Sequence, residues 1–205
     1  MFELFADSTP NARKISIMLE EINEKYLVTF INLNKGEQFH EDFKKISPFS
    51  KIPVLRHENQ TIFESGAILI YLANFSGEFY GINQNLTTQW LMAQMGYIGP
   101  MLGQHHQFHH YNPGKSEFGE NRSFKISERI YRELDKRLAD SKFLAGKNYT
   151  IADIATFPWI ARHDWHDIGL KKYINLSRWY EEISKREAVI KGYDLLKKGE
   201  EIPKI

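Results

Sequence analysis

The chain has 205 residues, 42% of them hydrophobic and 26% charged, an ordinary composition for a soluble globular protein of one large or two small domains. A formal net charge of +1, with no basic stripe interleaved with aromatics, argues against a nucleic-acid partner. The absence of cysteine excludes a disulfide framework, a zinc–thiolate site and any protein thiol nucleophile.

Phe2 to Phe5 reads as a short apolar strand, and the stretch FADSTPNARK at 5–14 follows it into a helix. Thr9 suits the N-cap and Pro10 the first helical position, where a missing N–H loses no bond. The N–H groups of Asn11 and Ala12 then point out of a helix end whose dipole favours an anion. An ordinary helix cap uses the same residues, so local sequence leaves both readings open. Ile15, Met18, Leu19 and Ile22 recur at the spacing of one helical face.

The stretch LVTFIN (27–32) predicts a second strand, and EDFKKI (41–46) a short helix ended by Ser47-Pro48. PVLRH (53–57) and TIFE (61–64) flank Glu58-Asn59-Gln60 as a hairpin. Ile68, Tyr71, Leu72 and Phe75 repeat the helical spacing while Leu69 and Ile70 add a second apolar side, predicting a helix buried on more than one face. The order βαβαββα combines a parallel crossover with antiparallel edge strands, the thioredoxin-like arrangement. The glycine- and asparagine-rich segment ending at 85 reads as a linker.

From residue 86 the pattern is helical. Ile126, Ile130, Leu134 and Leu138 lie at steps of four. YTIADIATFPW (149–159) opens on a capping-box variant, with Thr150 as cap, Asp153 three residues on, and Tyr149 with Ile154 as hydrophobic staple. Asp153 is therefore read as structural. Pro158 is expected to kink this helix, and Trp159, Trp165 and Trp179 are expected in the core. The apolar run at 67–73 is far short of the ~20 residues that span a bilayer. No basic segment followed by an apolar run opens the chain, so a cytoplasmic protein without a membrane partner is the expectation.

STPNARKI, SPFSKIPVL, FESGAILIYLA and NYTIADIATFPW, in this order and spacing, resemble the cytosolic glutathione transferase family. With MGYIGPMLGQHHQFHH (95–110) they are most similar to the bacterial nu class, over nearly the whole chain. The resemblance implies an α/β thioredoxin-like, glutathione-binding domain at 1–77, a linker at 78–85 and an all-helical domain at 86–205. It implies a homodimer that binds one or two glutathione molecules per site and no metal.

Residue by residue, the resemblance assigns the glutathione thiol to Thr9 and Asn11, with Ser8 in reserve. Lys51, Ile52 and Pro53 look like the loop before a cis-proline, whose backbone pairs with the cysteinyl part of glutathione. Glu64 and Ser65 resemble the pair that meets the γ-glutamyl ammonium and carboxylate; a plain N-cap is the local alternative for Ser65. Gln38 is similar in placement to a glutathione contact, and Arg122 to an arginine that binds a glutathione carboxylate. His105, His106, His109 and His110 form a cluster in which His106 and His110 have a chelating spacing on a helix, but no acidic base motif accompanies them. The resemblance implies a glutathione-dependent disulfide-bond reductase. Conjugation of glutathione to an electrophile, or glutathione binding without catalysis, stand as the alternatives.

Overall fold

The computed structural model describes all 205 residues, which divide into two compact units. The first comprises Met1–Tyr80 with Lys185–Ile202; the second comprises Gly81–Ser184 with Pro203–Ile205. No helix is long and apolar enough to cross a membrane.

In the first unit the chain runs β1 (Phe2–Ala6), α1 (Pro10–Glu21), β2 (Tyr26–Phe30), α2 (Glu41–Lys44), β3 (Val54–His57), β4 (Gln60–Phe63) and α3 (Ser65–Ser76). This is the expected βαβαββα order. The strands form one four-stranded sheet in the order β2-β1-β3-β4, with β1 parallel to β2 and the other pairs antiparallel. Leu4 pairs with Leu55 and Phe5 with Val54, and strand alternation sends these pairs to opposite faces. Phe5 and Val54 join Phe43 of α2 and Ile31 in one apolar cluster. Leu4 and Leu55 face the other way, towards α1 and α3, where Ile15, Met18, Leu19, Ile68, Leu69 and Leu72 are fully buried.

Thr9 caps α1 as predicted, its hydroxyl oxygen accepting the Ala12 N–H at 3.3 Å, with Pro10 first in the helix. The far side of α1 is covered by α10 (Glu187–Tyr193), which brings Lys185–Ile202 into the first unit. The contact requires a glycine. A Cβ on Gly192 would lie 2.6 Å from the backbone of Ile17, and Ser16 Oγ donates to the Gly192 carbonyl at 2.6 Å.

The second unit holds α4 (Gln84–Ala93), α5 (Gly99–His105), α6 (Glu117–Ala139), α7 (Ile151–Ile160), α8 (His163–His166) and α9 (Ile174–Ser184). Wider π turns, Gln94–Ile98 and His106–Tyr111, flank α5. Ile130, Leu134 and Leu138 of α6 are buried as their spacing predicts. Asp153 is structural: its carboxylate accepts from the N–H groups of Leu144 and Thr150 at 2.9 and 3.0 Å, the Thr150 hydroxyl at 3.1 Å and Trp179 Nε1 at 2.8 Å. These bonds tie the start of α7 to α9 and satisfy N–H groups that a helix end leaves unpaired. The helix ends two residues after Pro158.

Candidate functional site

One cleft of about 130 Å³ in the first unit gathers residues from separate parts of the sequence. Asn11 comes from the first turn of α1; Ser47, Phe49, Lys51, Ile52 and Pro53 from the loop before β3; and Phe63, Glu64 and Ser65 from the end of β4 and the start of α3. Ser47 fixes the loop: its hydroxyl accepts the Lys51 N–H at 3.0 Å and donates to the Lys51 carbonyl at 2.7 Å. Ile52 lies beyond the last ladder pair, Phe5 with Val54, and the Ile52–Pro53 peptide bond is cis.

Glu64 occupies the N-cap of α3 with φ 70° and ψ 114°. A non-glycine residue in this region carries backbone strain, a recurrent mark of functional positions. Ser65 begins a helix long enough to present a positive dipole end, and it is 5% exposed. The cleft thus offers a carboxylate, a hydroxyl at a helix N-terminus, an amide and a loop backbone. That set can hold a ligand bearing an ammonium, a carboxylate and peptide groups.

Of the residues the sequence singled out, Asn11, Lys51, Ile52, Pro53, Glu64 and Ser65 line this cleft. Thr9 lies outside its lining and serves the α1 cap. Ser8 is engaged elsewhere: its hydroxyl donates to Glu200 at 2.7 Å, and Glu200 also pairs with the buried Arg13 at 3.0 Å. Asp7 accepts the N–H groups of Ser8 at 2.7 Å and Leu33 at 3.3 Å, so the turn before Thr9 is held from both sides. Gln38 sits in a 3-10 turn, Glu37–Phe39, and its Oε1 is buried without a hydrogen-bond partner.

Arg122 belongs to the second unit. It is exposed on α6 beside a cavity of about 410 Å³ that Gln104, Phe108, Phe118 and Gly119 also line. The histidine cluster is packed internally, and His106 and His109 also make internal hydrogen bonds. His106 Nε2 lies 2.9 Å from His166 Nε2, and His166 Nδ1 lies 2.6 Å from the Tyr131 hydroxyl. His105 stacks on His109 at 4.1 Å, and His110 on Trp165 at 3.7 Å. Burial holds His105 down to about 4, with His109 lowering it further and Asp167 pulling it back up, and holds His106 to about 3, with Arg162, His105 and His110 acting in the same direction. No group of three or more His, Asp or Glu side chains is arranged to hold a metal ion.

The sequence reading passed over Lys14. Its side chain is buried, and its Nζ donates to Ser65 Oγ at 3.3 Å. Burial pushes the Lys14 ammonium well below the usual lysine range, while the charge of Glu64 pulls it back up. The available signal was its place three and four residues before Ile17 and Met18, which marks the inward side of α1.

Residues 2–74 match the family model "Glutathione S-transferase, N-terminal domain", and residues 100–187 match "Glutathione S-transferase, C-terminal domain". Disulfide-bond oxidoreductase YfcG of Escherichia coli (strain K12) is 41% identical over 207 residues, covering 96% of this chain and 95% of that protein. Disulfide-bond oxidoreductase YghU of the same organism is 36% identical over 214 residues, covering 93% of this chain and 73% of that protein. A glutathione transferase from Burkholderia graminis, solved with two glutathione molecules per subunit, aligns with a TM-score of 0.90 at 33% identity, over 97% of this chain and 89% of that one. One from Pseudomonas putida, solved with one glutathione disulfide per subunit, aligns with a TM-score of 0.89 at 34% identity, over 95% of this chain and 91% of that one. With a model matched in each half, a relative aligned almost end to end and the thioredoxin-like sheet in place, the chain belongs to the glutathione S-transferase family.

Proposed function

We propose that this protein is a nu-class, glutathione-dependent disulfide-bond reductase whose nucleophile is the thiolate of glutathione, its reducing substrate. The observation that carries the reading is the cleft itself: in a chain without cysteine, Asn11 shares one cavity with Ile52, Glu64 and Ser65. Relatives named as disulfide-bond oxidoreductases, and similar structures holding glutathione or its disulfide, support it.

In this reading Ser65 and the α3 N-terminus take the γ-glutamyl carboxylate, Glu64 takes the ammonium, and the Ile52 backbone before Pro53 meets the cysteinyl residue. Lys51 and Gln38 border the tripeptide, and Arg122 binds a glutathione carboxylate. Thr9 and Asn11 act on the thiol. A free thiol has a pKa of about 8.5 and is only a few per cent ionised at pH 7. One hydrogen bond to a charged acceptor contributes ~1.5–3 kcal/mol, which at ~1.36 kcal/mol per unit brings the thiol close to neutral pH, the optimum for disulfide exchange.

The thiolate attacks the substrate disulfide, forms a mixed disulfide and expels one thiolate, which takes a proton. A second glutathione thiolate attacks the mixed disulfide and releases the other thiol. One disulfide becomes two thiols as two glutathiones become glutathione disulfide. Conjugation of the same thiolate to an electrophile is the weaker activity expected of the site.

Residues 1–77 form the glutathione-binding domain, 78–85 the linker and 86–205 the helical domain, whose segment Lys185–Ile202 packs with the first unit. A homodimer in the cytoplasm completes the reading. The exposed Phe49 and Phe63 give apolar surface for the partner copy, and a reducing compartment supplies glutathione as thiol. Calorimetric titration tests the substrate assignment. Glu64→Ala and Ser65→Ala each weaken glutathione binding by about tenfold and leave the acidity of the bound thiol unchanged, because they hold the end remote from sulfur. Wild-type affinity in both variants would remove these residues from the site.

A further inference from the structure

Thr9 and Asn11, which act on the thiol in our reading, stand where β1 gives way to α1. A carboxylate from the far end of the chain ties together the residues on either side of them. One oxygen of Glu200 accepts the Ser8 hydroxyl at 2.7 Å, and the other pairs with the Arg13 guanidinium at 3.0 Å. Arg13 is 2% exposed; it also donates to the Tyr193 carbonyl at 2.9 Å and lies over the Tyr193 ring. Tyr193 is the last residue of α10, which anchors the guanidinium.

The segment that presents Glu200 is itself held. The Asp194 carboxylate accepts the N–H groups of Lys198, Gly199 and Glu200 at 2.7, 3.0 and 3.2 Å, turning the chain back after α10. Gly199 takes φ 77°, a left-handed conformation that glycine adopts without steric cost. Hydrogen bonds to an ionised carboxylate are stronger than neutral ones, so the grip on Ser8 and Arg13 is a firm one. A serine hydroxyl has a single proton. Given to Glu200, that proton is not offered to sulfur, and Ser8 serves the turn rather than the thiol.

We propose that Glu200 is a positioning residue for thiol activation: by gripping Ser8 and Arg13 it holds Thr9 and Asn11 at the geometry the thiolate needs. This rests on the reading of the cleft as a glutathione site. Glu200 touches no reacting atom. The groups assigned to the rest of the tripeptide, Ile52, Glu64 and Ser65, lie elsewhere in the fold. Losing the grip therefore affects the chemistry at sulfur more than the affinity for glutathione.

Steady-state kinetics, calorimetry and thiolate absorbance against pH, measured on Glu200→Ala, Ser8→Ala and the double variant, form the test. Glu200→Ala lowers kcat for disulfide reduction about fivefold to fiftyfold, within the range that small displacements of reacting groups carry. It raises the ionisation midpoint of bound glutathione by about half a unit or more, while glutathione affinity stays within about twofold. A merely structural loss lowers the melting temperature and leaves that midpoint where it was. Ser8→Ala acts in the same direction by a smaller factor. The double variant matches Glu200→Ala, because both substitutions break one grip.

Should Glu200→Ala fail to fold once Arg13 loses its carboxylate, Ser8→Ala keeps that pair, and its raised midpoint is the readout. A wild-type kcat and midpoint in folded Glu200→Ala, or in Ser8→Ala if that is the variant at hand, overturns the proposal and leaves the glutathione reading standing. Losses that multiply in the double variant overturn it too, because Ser8 then acts independently of Glu200. A wild-type protein that does not bind glutathione refutes the glutathione reading itself, and the proposal with it.

Discussion

Asn11→Ala lowers kcat/KM for glutathione-dependent disulfide reduction by about tenfold to a hundredfold, with glutathione affinity changed much less. The range follows from losing one hydrogen bond to a charged sulfur, ~1.5–3 kcal/mol, at ~1.4 kcal/mol per tenfold in rate. The structure places Asn11 in the cleft lining at the open end of α1, where the sulfur of a bound glutathione belongs in our reading. Thr9→Ala separates two roles. Its hydroxyl oxygen already accepts the Ala12 N–H, so the substitution costs about 1 kcal/mol of stability as a lost cap. If the Thr9 hydroxyl also donates to sulfur, activity per folded molecule falls by about tenfold as well. Melting temperature and reduction of a glutathione-capped disulfide, measured on both variants, give the answer. A stability loss with full turnover makes Thr9 a cap alone, and full turnover in Asn11→Ala removes the amide from the thiol.

Acidification from pH 7 to pH 5 destabilises the helical unit by about 3 kcal/mol or more, a loss through buried histidines that one buried aspartate partly offsets. His105 and His106 are held to about 4 and about 3 in the folded chain, chiefly by burial, and His166 is held well below its usual range. An unfolded histidine titrates near 6.5, so below that pH the unfolded chain binds more protons and stability falls. At pH 5 His105 and His106 each account for about 2 kcal/mol, ~4 kcal/mol together, and His166 acts in the same direction. Asp153 acts in the opposite sense: burial raises it to about 6, so acidification restores roughly 1 kcal/mol there. Denaturant unfolding at the two pH values, followed by tryptophan fluorescence, measures the difference, since Trp159 and Trp165 stack on this cluster. Equal or greater stability at pH 5 than at pH 7 would contradict the suppression of these histidines.

The first unit was legible because its signals are local. The short apolar strand of β1, the hairpin of β3 and β4, a Thr-Pro cap and a two-sided apolar helix each act over a few residues and agree with one another. Phe75 departs from this pattern: expected on a buried face, it is 48% exposed, with its ring packed edge-on against Phe2 and His57 at the sheet's end. Trp179 is buried as expected, whereas Trp159 and Trp165 are half-buried and pack on histidine rings.

What escaped the sequence depends on distant partners or on a non-standard helical turn. The spacing of His106 and His110 assumes an α-helix, but the chain passes through a π turn there and His106 finds its partner on α8. The return of Lys185–Ile202 to α1 turns on one glycine, Gly192, whose role appears only when Ile17 lies against it. Ser8 looked like a second hydroxyl for the thiol until Glu200, far along the chain, was found to hold it. Lys14 carries no local mark because Ser65, which its Nζ meets, lies on another helix.

The most direct test of the central claim is the steady-state rate at which glutathione reduces a small glutathione-capped disulfide in the presence of the protein. We expect a rate well above uncatalysed exchange, saturable in the disulfide, and unaffected by prior treatment of the protein with a thiol-alkylating reagent, since there is no cysteine to modify. A rate equal to uncatalysed exchange would contradict the account and leave a glutathione transferase fold without disulfide reductase chemistry.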